Sequence, residues 1–382
     1  MVTRLVGQRN AETLLARAVA AERVGHAYLF LGPPGCGKST AAKLFAQAMN
    51  CERQPAVAAV PGAGTGAAVA SRLAPCGECE SCRRIAADSH PEVMEVQPAS
   101  KTGQDITVEQ VREIRMNASL RPKLGRRRIY VVPNAEAFNE TSANALLKTL
   151  EEPSDFVTLI LCAPSPSHVL PTIRSRCQSV RFGLAGPAEV AEALTTGGTT
   201  PEIAVALARA CGGRPGLAIS WAQSPSVLKQ RRAVLDVFAR AVGFQRQAHK
   251  DPSAGAKSLR LAEELRGLVD TDAEKGEGRA RPAKELHSEN LEVGLTYLRD
   301  LLLLTQGAEP SLAQNQDRIT ELLDQTRYTD RERALADVDS VREAQQLLER
   351  NVAPQLVLER MFWALISGAL PLRSALLEEA HA

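Results

Sequence analysis

Aromatic side chains make up only 4% of this 382-residue chain, and its formal net charge is only +2. So weak a charge excludes a broad electrostatic footprint for nucleic acid; any such contact has to come from local patches or from other chains. No apolar run reaches the length of about 18 residues that a membrane-spanning helix needs. The opening Met1-Val2-Thr3-Arg4 leads straight into an amphipathic segment without the apolar core of a signal peptide, so a cytoplasmic setting is expected. There, eight cysteines are not expected to form a disulfide framework, and their spacing says more than their number.

What is present is an Ala- and Leu-rich chain with 44% hydrophobic residues, long enough for two or three helix-rich domains. Over residues 1–180, short apolar runs alternate with helical patterns. Residues 26–31, 93–96, 128–132, 157–162 and 179–182 are expected to be strands; 40–50, 108–118 and 142–150 are expected to be helices. That order implies βαβ units and a parallel sheet. Residues 184–222 hold two or three short helical patterns. From 223 to 382 apolar residues recur at helical spacing, as in Val234, Leu235, Val237, Phe238 and Val242, or Leu291, Val293, Leu295, Leu298 and Leu301, which predicts an all-helical domain. The Ala/Gly/Pro/Val-rich stretch 54–75 is expected to be a flexible insertion, and the polar stretch 270–287 a loop.

Gly32-Pro33-Pro34-Gly35-Cys36-Gly37-Lys38-Ser39 satisfies the phosphate-loop pattern GxxxxGK[ST] in full, between a predicted strand and a predicted helix. Gly32, Gly35 and Gly37 let backbone N–H groups turn onto a phosphate chain, the helix start at Thr40 adds positive potential, Lys38 would reach the outer phosphates, and the Ser39 hydroxyl would take Mg²⁺. The pattern points to ATP/Mg²⁺ binding. Hydrolysis needs more: a carboxylate at the end of a neighbouring strand. The candidate strand, 128–132, runs into Pro133-Asn134, and the nearest acid, Glu136, is expected to open the next helix. Own ATPase activity is therefore expected to be weak or absent.

Cys76, Cys79 and Cys82 form CxxCxxC, and Cys51 lies upstream, directly after the phosphate-loop helix. Four thiolates suit a tetrahedral structural Zn²⁺. His90 is an alternative fourth ligand, and an iron–sulfur cluster or redox thiols are the competing chemistries. Cys36, Cys162, Cys177 and Cys211 are scattered and are expected in or near the core. The basic stretch 121–128 is expected to be a solvated loop, with a DNA-backbone contact as the competing reading.

Further stretches carry a resemblance. Asn144 to Pro153 (NALLKTLEEP) is similar to the NALLKxLEEP signature of bacterial DNA polymerase III clamp-loader subunits, an AAA+ family; Ser175-Arg176-Cys177 matches its SRC motif. Gly7-Gln8, His26-Ala27-Tyr28, the cysteine cluster and Asn351 to Glu359 fit the same family. The resemblance covers nearly the whole chain except 54–75 and 270–287. It implies an α/β P-loop core over 1–180 with a zinc module inserted at about 51–82, a helical lid over 181–222 and a helical collar over 223–382.

Within that family the chain looks more like the delta-prime type than the gamma/tau motor. The motor's Walker B acids fall at Pro133-Asn134, its sensor-1 threonine near Ala163-Pro164, and its sensor-2 arginine at Pro215, one position from Arg214. The resemblance then makes Arg176 an arginine finger acting in trans on a neighbouring motor subunit. It also implies gamma/tau and delta-type subunits, the sliding clamp and primed DNA as partners. A gamma/tau-type motor of the same loader, a P-loop kinase and a zinc-dependent DNA-binding module are the alternatives.

Overall fold

The computed structural model describes residues 5–53, 57–59, 71–98, 105–223, 225–246, 252–273, 283–350 and 352–368. They fall into two compact units: Met1–Thr199 with Gly213–Ala218, and Thr200–Gly212 with Ile219–Ala382.

In chain order the first unit holds α1 (Arg9–Ala20), β1 (Ala27–Leu31), α2 (Lys38–Asn50), β2 (Val57–Ala59), β3 (Ser71–Leu73), α3 (Glu80–Ala86), β4 (Val93–Glu95), α4 (Val108–Ala118), β5 (Arg128–Val132), α5 (Glu140–Glu151), β6 (Val157–Ala163), α6 (Pro171–Arg174) and β7 (Gln178–Arg181). The main sheet is wholly parallel with order β4-β5-β6-β1-β7. In β1, β5 and β6 every residue is buried, as expected where helices cover both faces of a parallel sheet. Alternation along β1 sorts the side chains. Tyr28 and Phe30 join Leu15 of α1 and Phe45 of α2, while Ala27, Leu29 and Leu31 join Ile114 of α4 and Leu146 of α5. The Tyr28 and Phe45 rings meet edge to face, centroids 5.1 Å apart, the arrangement their quadrupoles favour.

The covering helices begin where the sequence supplies caps. Thr107 and Gln110 form a reciprocal capping box at α4, and Asn139 Oδ1 accepts the Ser142 N–H at 2.9 Å at α5. The expected parallel α/β core is therefore present. The insertion differs in part from expectation. Residues 57–59 and 71–73 pair as an antiparallel ladder, Val57 opposite Leu73, because backbone groups pair whatever the composition; residues 54–56 and 60–70 lie outside the described residues.

Three short helices follow the sheet: α7 (Pro187–Thr196), α8 (Pro201–Ala210) and α9 (Pro215–Gln223). Each opens on a proline, whose missing N–H has no partner to lose at a helix start. Beyond them come α10 (Pro225–Gln245), α11 (Ala254–Ala273), α12 (Ala283–Thr305), α13 (Ile319–Gln325), α14 (Arg331–Glu349) and α15 (Pro354–Ser367), and the described residues there form no strand. Val234, Leu235, Val237, Phe238 and Val242 of α10 share one core with Leu291, Leu298 and Leu301 of α12 and Phe362 of α15. At Gly294 a β-carbon would stand 2.1 Å from the Phe238 ring, so only glycine lets α10 and α12 approach so closely. The stretch read as a loop, 270–287, is helical up to Ala273 and again from Ala283; 274–282 lie outside the described residues. No helix among the described residues is long and apolar enough to cross a membrane.

Candidate functional site

The phosphate loop joins β1 to α2, at the strand end where ligands of open parallel sheets collect. Gly35 and Gly37 sit at φ 79° and 106°, a region that side chains resist. At Gly32 a β-carbon would meet the Phe182 carbonyl oxygen at 2.4 Å. Gly37 caps α2 without any side-chain acceptor, so the helix start offers N–H groups to a ligand. The Lys38 ammonium folds over the loop and donates to the Gly32 carbonyl and, at 3.1 Å, to the Pro33 carbonyl.

The neighbouring strand ends carry little catalytic chemistry. After β5 the chain has Pro133 and then Asn134, which precedes a short 3₁₀ turn, Ala135–Ala137. Glu136 is exposed on that turn, so it opens a turn rather than the helix itself. β6 ends on Ala163, and Pro164 follows it. The stretch 213–217 lies directly on the phosphate loop: Gly216 N–H donates to the Gly35 carbonyl at 2.9 Å. Cys162, in β6 beneath the loop, is pushed up to about 12 by burial, against the pull of Lys38. It is a buried thiol, as are Cys36 and Cys211, while Cys177 is half-buried.

The four expected metal-site cysteines come together. The sulfurs of Cys51, Cys76, Cys79 and Cys82 all lie within 4.8 Å of one another, and His90 is outside the set. Cys51 follows α2, Cys79 caps α3, and Cys82 lies in α3. The Cys79 N–H points at Cys76 Sγ (3.3 Å) and the Cys82 N–H at Cys79 Sγ (3.4 Å). Burial pushes the Cys51 and Cys82 thiols up. At Cys76 burial pushes the same way, but the N–H groups of Cys79 and Glu78 outweigh it and hold the thiol at about 6. Four sulfurs converging from CxxCxxC and one distant cysteine form a donor set that fits a tetrahedral soft or borderline metal ion. The module is anchored by Gln47, which donates to the Cys82 carbonyl at 2.9 Å, and by Glu52, which accepts the Ser81 N–H at 3.2 Å.

Arg176 sits between α6 and β7 with about a third of its side chain exposed. Its Nη2 pairs with Glu151 Oε1 at 2.5 Å, and its Nη1 donates to the Thr172 carbonyl at 3.1 Å and to Ser175 Oγ at 3.3 Å. The SRC arginine and the last residue of the LEEP helix, α5, thus meet in space. Glu151 stands at a helix C-terminus, where the dipole disfavours a carboxylate; the guanidinium offsets that.

The basic stretch is not a free loop. Asn50, buried at the end of α2, accepts the N–H groups of Arg126 and Arg127 at 2.9 and 2.8 Å and donates to the Arg127 carbonyl at 3.0 Å. Glu92 takes the Lys123 N–H at 2.9 Å and pairs with Arg128, which is buried rather than solvated. Arg121, Lys123 and Arg126 remain exposed or half-exposed. Asn50 and Glu92 escaped the sequence reading. Their signal was only that polar letters occupy otherwise apolar positions.

Residues 7–185 match the family described as DNA polymerase III, delta subunit. The chain is 37% identical over 185 residues to DNA polymerase III subunit gamma/tau of Mycobacterium tuberculosis, covering 48% of this chain and 28% of that protein. It is 38% identical over 163 residues to DNA polymerase III subunit delta' of Pseudomonas aeruginosa, covering 43% of this chain and 44% of that one. The matched part is less than half the length of these relatives. Among solved structures, a gamma subunit-related protein of Thermotoga maritima aligns over 92% of this chain and 97% of its own at 14% identity and a TM-score of 0.41. The resemblance read from the motifs is borne out over 7–185, and delta' and gamma/tau subunits match it alike.

Proposed function

We propose, for a chain whose residues 7–185 are homologous to clamp-loader subunits of bacterial DNA polymerase III, that it serves as the delta-prime-type stator of such a loader. Its core (1–180) would bind Mg²⁺-ATP at Gly32, Gly35, Gly37, Lys38, Ser39 and Thr40 and cleave it poorly. The zinc module at Cys51, Cys76, Cys79 and Cys82 would be structural. The lid (181–222) leads to a collar (223–382) that assembles with gamma/tau and delta-type subunits in the cytoplasm, around the sliding clamp and primed DNA.

The observation that carries this reading is a pairing of absence and presence. Positions 133 and 134 offer no carboxylate to an in-chain hydrolytic site, while Arg176 stands partly exposed in an intact SRC motif. A guanidinium there stabilises the charge that develops on a phosphoryl group held by an adjacent motor subunit. The gamma/tau-type motor is the competing reading, and it would rest on Glu136. Mixing the chain with gamma/tau and delta-type subunits separates the two. A stator co-purifies with them and raises their clamp- and DNA-stimulated ATP turnover while showing none alone. Brisk turnover by the isolated chain would instead establish the motor.

A further inference from the structure

Gln8 is buried to all but 4% of its surface, yet it lies 28 residues from one hydrogen-bond partner and 175 from another. Its Nε2 donates to the Cys36 carbonyl at 3.1 Å and to the Gly183 carbonyl at 2.8 Å, and its Oε1 accepts the Gly183 N–H at 3.0 Å. One carboxamide therefore spans the phosphate loop and the residues that leave β7. Two N–H donors and an acceptor in one plane, on a stem of this length, are what glutamine supplies; glutamate lacks the donors and methionine lacks both functions.

The Cys36 contact has a direct consequence for the phosphate loop. In a planar trans peptide the carbonyl of one residue and the N–H of the next point in opposite directions. Holding the Cys36 carbonyl against Gln8 turns the Gly37 N–H the other way. Gly37 itself sits at φ 106°, a turn of the kind that builds a concave nest of N–H groups for anions.

Beyond Gln8 the bonds close into a ring. Phe182 N–H donates to the Leu31 carbonyl at 2.7 Å, Ala185 N–H to the Gly213 carbonyl at 2.8 Å, and Gly216 N–H returns to the Gly35 carbonyl at 2.9 Å. Gly7 leaves no room for a β-carbon, which would meet Ala185 Cβ at 2.5 Å. All these residues belong to one compact unit.

We propose that Gln8 is a positioning residue of the phosphate site: it orients the Cys36–Gly37 peptide for anion binding and ties occupancy of the loop to the stretch 183–185. This rests on the nucleotide-binding reading above. The test uses the full chain titrated with Mg²⁺-ATP by calorimetry, as wild type, Gln8→Glu, Gln8→Met and Lys38→Ala, with amide exchange followed in the wild type and the Gln8 variants. Folded Gln8 variants are expected to bind about tenfold more weakly, through the loss of two donated hydrogen bonds. Bound nucleotide should slow exchange at 183–185 in the wild type but not in Gln8→Met, a difference that a merely stabilising side chain would not produce. Equal affinity in wild type and Gln8 variants overturns the inference alone. So does wild-type exchange at 183–185 that ignores bound nucleotide, a result that needs no variant to fold. If the wild type binds no nucleotide at all, the nucleotide reading falls and takes this inference with it.

Discussion

The Glu92 carboxylate grips the Arg128 Nε at 2.8 Å, with the two side chains 4% and 11% exposed. Glu92 also takes the Lys123 N–H. This pair ties the stretch before β5 to the residue before β4 and puts a buried ion pair at the base of a basic loop. Burial pushes the Glu92 carboxyl up, but the Lys123 N–H and Arg128 outweigh it and hold it below the usual carboxylate range.

A depressed carboxyl stabilises the fold above its unfolded pKa of about 4.3 and loses that contribution as pH falls through its lower folded value. Glu92→Gln strands a buried guanidinium and is expected to cost about 3–5 kcal/mol near pH 7. In urea melts the gap between wild type and variant should narrow as pH drops below about 4. A gap that stays constant down to the acid limit would show that Glu92 acts without its charge.

The four-cysteine cluster makes an independent prediction. Protein purified without added metal should carry about one Zn²⁺ per chain by elemental analysis, and Cys79→Ser should lose it. Limited proteolysis should then cut the module around 51–82 while the five-stranded parallel sheet β4-β5-β6-β1-β7 stays resistant. Iron in place of zinc, or no metal, removes the assignment.

How much of this was legible depended on whether a feature is local. The phosphate loop is contiguous, so eight letters between a strand and a helix were enough. Cys76, Cys79 and Cys82 announce themselves by spacing, and Cys51 by its position after α2. The parallel sheet was visible in runs such as RIYVV and VTLILC. Asn50 and Glu92 were not, because each is a single polar letter whose partner lies tens of residues away; Gln8 stood out only within Gly7-Gln8, and its bonds to Cys36 and Gly183 had no signal. The ladder of β2 and β3 hid in a low-complexity tract, since strand pairing there uses backbone groups. Arg128 read as solvated because its neighbours Arg126 and Arg127 are basic too; only the fold brings Glu92 beside it. The chain also passes between its two compact units three times, at 199–200, 212–213 and 218–219. One bond behind that crossing, Gly216 to Gly35, has no sequence signature.

Nucleotide chemistry in the isolated chain gives the next prediction. With Pro133 and Asn134 after β5, steady-state ATP turnover should fall far below about 1 s⁻¹, the lower end of the usual enzyme range. Lys38→Ala should abolish Mg²⁺-ATP binding in calorimetry, since it removes the one side-chain cation of the phosphate loop. Turnover near 1 s⁻¹ in the wild type, lost in Glu136→Gln, would transfer the hydrolytic role to this chain.

The central claim is that Arg176 completes a neighbour's site, and the most direct measurement is clamp- and DNA-stimulated ATP turnover by the loader assembled with Arg176→Ala. The Glu151 pair is partly exposed, so its loss should cost no more than about 1 kcal/mol of stability, and zinc content and assembly should match the wild type. Turnover at the motor site it touches is expected to fall by about 10³. Arg176→Lys should rescue poorly, because an ammonium cannot fork onto two phosphate oxygens. A complex that assembles with Arg176→Ala and still hydrolyses ATP and loads clamps at the wild-type rate would contradict the account.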